Sequence, residues 1–82
     1  MTTENVSLVV ALIASVLNLP VSSVGSGSSM ETLPEWDSLA QLNICLEFQE
    51  RFGVTLDMET IAEATSVSKL CALLPIRSNS AP

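Results

Sequence analysis

The stretch EWDSLAQLNICLEFQERFGV, residues 35–54, decides the fold. From Asp37 or Ser38 to Phe52 it predicts one helix, opened by residues suited to a helix start and stopped by Gly53, the residue preferred just past a helix end. Projected at about 100° per residue, this helix carries two apolar stripes. Ile44, Cys45, Phe48 and Phe52 cluster on one face. Leu39, Leu42 and Leu46 fall on roughly the opposite face, with Asn43, Glu47 and Glu50 beside them. One stripe packs the domain, and the other has two readings. Either the helix is sandwiched and buries both faces, or the leucines form a ridge with an acidic margin, suited to a groove rimmed by Lys and Arg.

Outward from this helix, the apolar period of a helix recurs three times. Upstream, a first helix runs from about Glu4 to Asn18, capped by Thr3, with Val6, Val9, Val10, Ile13 and Leu17 on one stripe. Its outward face is then Ser7, Ala11, Ala14, Ser15 and Asn18, and Asn18-Leu19-Pro20 ends it. Between the two, Val21 to Ser29 (VSSVGSGSS) has the Gly and Ser content of a flexible loop. Downstream, Asp57 caps a short helix over Met58 to Glu63. Thr65 or Ser66 caps a last one carrying Val67, Leu70, Cys71 and Leu74 before Pro75. Val54 to Leu56 is assigned to a loop. The expected fold is an all-α four-helix bundle, three longer helices and one short, with a long loop between the first two. It fills residues 1–77 as one domain, and the small polar residues 78–82 form a flexible tail.

Composition narrows what such a bundle can do. A chain of 82 residues builds one core but hardly a deep active-site cleft beside it. It has no His, the usual general base and the commonest zinc ligand. Cys45 and Cys71 stand far apart with no third Cys and no CxxC, so they read as reduced, buried thiols rather than a disulfide framework or metal site. An enzyme is therefore not expected, and neither is a catalytic residue or a bound metal. The net charge of −6 repels phosphate backbones and anionic membranes, which disfavours nucleic acid and favours basic partners. Charge is also uneven, with none from residue 5 to 30 and eight of the nine acids between residues 31 and 69. The apolar run Val6 to Leu19 falls short of the about 20 residues that span a bilayer, and Ser7, Ser15 and Asn18 interrupt it. With Glu4 where a signal peptide carries positive charge, the run reads as a helix of a monomeric cytoplasmic protein.

At the head of the second helix stands Asp37-Ser38-Leu39. A serine in the first turn lies near unsatisfied backbone N–H groups and the positive end of the helix dipole, a favourable place for a phosphate ester; ordinary capping by Asp37 or Ser38 is the plainer alternative. Taken with Trp36-Asp37-Ser38-Leu39-Ala40-Gln41-Leu42, then Phe48-Gln49-Glu50-Arg51-Phe52-Gly53-Val54, then Asp57, Thr65, Ser66 and Val67, the chain resembles an acyl carrier protein. The resemblance is good from about Leu33 to Leu74 and general before that. It implies a bundle whose Ser38 receives 4′-phosphopantetheine from coenzyme A through a phosphopantetheinyl transferase. Acyl, polyketide or aminoacyl intermediates then ride as thioesters on the arm. The implied partners are the transferase, a ligase or transferase that loads acyl or aminoacyl groups, and downstream biosynthetic enzymes with basic docking faces. Asp37 would accompany Ser38 at the attachment site, and Leu39, Leu42, Leu46, Glu47 and Glu50 would meet partners.

Two departures bear on the kind of carrier. Carriers of fatty-acid synthesis generally show Gly and a small residue before the DSL tripeptide, where this chain has Glu35-Trp36. Ala40, Asn43 and Gln49 stand where acids are frequent, leaving Asp37 and Glu50 as matches. The pattern points to a dedicated carrier of a specialised pathway. Two rivals come from other classes. A small esterase using a GDSL-like serine needs Gly at the position of Trp36 and a His the chain lacks. An unmodified helical adaptor would use the Leu39/Leu42/Leu46 ridge for docking and Ser38 as a simple cap.

Overall fold

The computed structural model describes residues 3–74, which form four helices and no strand. They are α1 (Thr3–Leu17), α2 (Ser38–Phe52), α3 (Met58–Glu63) and α4 (Val67–Ala72). α1 packs against α2 and α4, and α3 rests on α2. The core at their junction is built on Val9, Leu12, Ile13, Trp36, Ile44, Phe48, Val67 and Leu70. Burying each such large apolar side chain contributes about 1.5–3 kcal/mol. Phe48 also stacks at a tilt on half-buried Phe52, with ring centroids 4.9 Å apart.

Local chemistry sets the ends of each helix. Asp37, Asp57 and Ser66 adopt extended backbone and accept, through their side chains, the N–H groups of Ala40, Thr60 and Lys69. Each thereby satisfies one of the amides that a helix start leaves unpaired. The bonds from Thr60 hold the Asp57 carboxyl below its usual range. α2 stops where Gly53 takes left-handed dihedrals and donates to the Gln49 carbonyl, a conformation that costs a residue with a Cβ. α1 ends one residue earlier than expected, at Leu17. Asn18 is left-handed there, donating to Ser15, while Leu19 donates to Ala14, the paired bonds of a Schellman turn that Pro20 follows.

Three expectations need correction. Ala14, assigned to the outward face of α1, is buried, because α2 and α4 cover a wider arc than one stripe and because Ala14 faces Leu19 across the Schellman turn. Leu12 is buried with it, whereas Leu8 is half exposed. The Gly/Ser-rich loop is not free: Val21–Ser23 makes a 3₁₀ turn, and Val24 is buried. Met30 donates to the Thr65 carbonyl at 2.9 Å and Val67 to that of Ser28 at 3.0 Å, around an antiparallel bridge between Ser29 and Ser66. Composition reports the polarity of such a segment but not that a neighbouring backbone will pair with it. Finally, α4 is short like α3, so the bundle has two long and two short helices. Beyond Ala72 the amides of Leu73 and Leu74 bond three residues back, tightening the turn. Pro75, the domain end at residue 77 and the tail 78–82 lie outside the described residues, as does the side chain of Thr3.

Candidate functional site

The start of α2 is assembled from a turn, a cap and a buried pair. Trp36 donates its backbone N–H to Leu33 at 3.0 Å, and Asp37 donates to Glu35 at 3.1 Å, so the chain arrives at the helix already folded back. Asp37 then accepts the Ala40 N–H on its carboxylate at 2.9 Å and that of Gln41 on its carbonyl at 2.8 Å. Of the two candidates for the cap, Asp37 takes the role. Ser38 is the first helical residue, exposed, with its hydroxyl spared from capping.

Immediately beneath lies a pair that sequence reasoning passed over. Trp36 and Gln41 are both buried, at 1% and 6% exposure, and the indole N–H donates to the Gln41 carboxamide oxygen at 2.7 Å. The carboxamide nitrogen donates to the carbonyls of Ile61 at 2.7 Å and Ala64 at 2.9 Å, and approaches the Cys45 sulfur at 3.4 Å. These two residues flank the helix cap at N′ and N4, the positions of a hydrophobic staple. That rule is the signal that could have found them. The Gln at N4 hides it, because a staple is ordinarily sought as two apolar residues.

Down the outer face of α2 run Leu39, Leu42 and Leu46, exposed to 68%, 48% and 61%. The alternative in which neighbouring helices bury both stripes is therefore excluded. Leu46 stands between two open depressions. One, of about 370 Å³, lies between α1 and α2 and is lined by Ser15, Val16, Asn43, Leu46, Glu47 and Arg51. The other, of about 510 Å³, is lined by Leu46, Gln49, Glu50, Val54 and Thr55. Of the acidic margin, Glu50 is exposed, but Glu47 faces Arg51 one turn on, 3.7 Å away, so its charge is partly answered within the helix. Exposed pairs of this kind contribute about 0.3–0.5 kcal/mol. Gln49 accepts the Leu56 N–H at 2.7 Å and braces the loop into α3. Met58, at the start of α3, is also exposed.

The remaining chemistry is muted. Burial raises the pKa of both Cys45 and Cys71, which keeps these thiols protonated and unreactive. Among the described residues no group of His, Cys, Asp and Glu could hold a metal ion, and no helix is long and apolar enough to cross a membrane. A group joined to the chain through a phosphate ester fits at Ser38. Ser38 is exposed, it makes no cap bond, and it stands in the first turn of α2, where the helix dipole favours negative charge. A family model described as the phosphopantetheine attachment site matches residues 7–74. No curated protein matches the chain.

Proposed function

Because the chain belongs to the phosphopantetheine attachment-site family, whose members carry a covalently attached 4′-phosphopantetheine, we propose that Ser38 is the attachment residue of a carrier protein dedicated to a specialised biosynthetic pathway. The observation that carries this reading is the division of labour at the start of α2: Asp37 caps the helix, and the adjacent Ser38 hydroxyl is left exposed and uncommitted.

In the modifying step the Ser38 oxygen attacks the phosphorus of coenzyme A that bears pantetheine. A Ser38 O–P bond forms, the P–O bond to the adenosine bisphosphate breaks, and the serine proton passes to a base on the transferase. A phosphodiester held on Ser38 would carry its negative charge at the start of α2, where the helix dipole favours it. Once in place, the arm supplies a terminal thiol on which acyl, polyketide or aminoacyl groups are carried as thioesters. The chain's own contribution is docking. Leu39, Leu42 and Leu46 continue from Ser38 along one exposed face, so a partner that grips them receives the arm beside its active site. Asp37 and Glu50 favour partners with basic rims, while Glu47 is committed in part to Arg51. The partners are a phosphopantetheinyl transferase, an enzyme that loads the cargo, and the downstream enzymes that process it. Catalysis rests with them. The Glu35-Trp36 pair before Asp37 and the sparse acids of α2 favour a dedicated carrier over a general fatty-acid one.

The test is intact-mass measurement after incubation with coenzyme A, Mg²⁺ and a broad-specificity transferase. The chain gains one phosphopantetheine, and Ser38→Ala gains none. An adduct on another residue, or none with several transferases, overturns the assignment and returns the ridge to an unmodified adaptor.

A further inference from the structure

We infer that Trp36 and Gln41 form a positioning brace that fixes the Ser38 turn for arm transfer, a role that rests on the carrier reading above. The indole and the carboxamide meet at 2.7 Å across residues 36 to 41, and Ser38 stands within that span. The same Gln41 closes the first turn through its backbone N–H to Asp37, and its carboxamide nitrogen ties the turn to the end of α3 at Ile61 and Ala64. Three partners, the Trp36 indole and the carbonyls of Ile61 and Ala64, thus converge on one buried side chain, and each would lose its bond if α2 shifted against the turn or against α3. An apolar pair at these positions would pack the entry to the helix but would tolerate sliding. A hydrogen-bonded pair holds one register. Ser38, one turn before Gln41 and two residues after Trp36, takes its position from both.

Transfer requires the Ser38 oxygen in line with the phosphorus–oxygen bond of coenzyme A that breaks, and a misplacement of about 1 Å can cost about a hundredfold in rate. The leucines of the ridge are exposed, whereas Trp36 and Gln41 are buried.

The experiment measures steady-state arm transfer from coenzyme A by a purified transferase for the wild type, Gln41→Leu, Trp36→Phe and the double variant, at a temperature where circular dichroism shows each one folded. Trp36→Phe keeps a ring in the core and loses only the donor and part of the indole, so it remains usable if Gln41→Leu folds poorly. We expect kcat to fall about tenfold in each single variant with KM for the carrier within about twofold, and the double variant to fall no further than the worse single one. In Gln41→Leu the emission of Trp36, the single tryptophan of the chain, should shift as its N–H loses its partner. Wild-type kcat in the folded variants overturns the brace, because a merely stabilising pair alters the folded fraction and not the rate of folded molecules. Losses that multiply in the double variant overturn it too, since independent effects are not a brace. If the wild type itself accepts no arm, the carrier reading fails and takes this inference with it.

Discussion

The Ser38 hydroxyl takes no part in capping the helix it begins, and this shapes what its removal does. With Asp37 still accepting the Ala40 N–H, Ser38→Ala should lower stability by only a few tenths of a kcal/mol, read by urea unfolding, while abolishing the arm. A large drop in stability would instead mark a structural serine. The two thiols are the opposite kind of residue, important to packing and chemically silent. Their folded pKa values are raised above the ordinary 9.0, so the stability that the neutral thiols contribute is full below about pH 9 and is lost as pH rises through the raised values. Unfolding free energy measured from pH 7 to 11 should therefore begin to fall above about pH 9, and Cys45→Ala should flatten that decline. A slope unchanged by the substitution would show that other groups drive it. The start of α2 at Asp37 or Ser38 and its stop at Gly53 were legible from sequence, because helix ends are governed by residues within one turn; which of the two caps the helix was left to the structure, and it is Asp37. Trp36 and Gln41 were not, because two of Gln41's partners are backbone carbonyls of α3, and no side-chain pattern announces a carbonyl.

α2 buries one apolar stripe and exposes the other. Phe48→Ala should cost about 3–5 kcal/mol by opening a cavity at a fully buried site, and Phe52→Ala less, since Phe52 is half exposed. Leu42→Ala and Leu46→Ala should unfold close to the wild-type denaturant midpoint yet slow transfer of the arm. If they unfold as readily as Phe48→Ala, the ridge belongs to the core. Both faces of this helix could be read from its periodicity, and so could the caps of α2, α3 and α4. Periodicity served less well for α1. Its outward face was drawn from one stripe, but nearly every position is apolar or small, and such a sequence does not say how wide an arc its neighbours cover. Ala14 marks that limit, as Leu8 does from the other side. α4 was expected to be longer because its apolar period persists to Leu74, although the hydrogen bonds tighten after Ala72.

At the scale of the molecule the charge is lopsided: an uncharged span from residue 5 to 30, then an acidic half bearing the ridge. Rim charges steer encounter more than they hold a complex, and salt screens them over about 8 Å at physiological ionic strength. With Glu47 partly answered by Arg51, Glu50 is the margin's freest acid. Glu50→Lys should reduce the association rate with a basic-faced transferase more than it changes dissociation, with a modest dependence on salt in the wild type. Stopped-flow rates at low and high salt decide this, and association indifferent to both salt and charge reversal would leave recognition to the leucines alone. The stitch between residues 28–30 and 65–67 reaches further, into the order in which the protein can be made. On the ribosome α1 and α2 are finished well before α4, yet part of the buried arc of α1 has no cover until α4 arrives, and the loop has nothing to pair with. A nascent chain that has exposed Ser38 is thus still a half-roofed bundle. Closing it takes α4, which covers α1 and gives residues 28–30 their backbone partners.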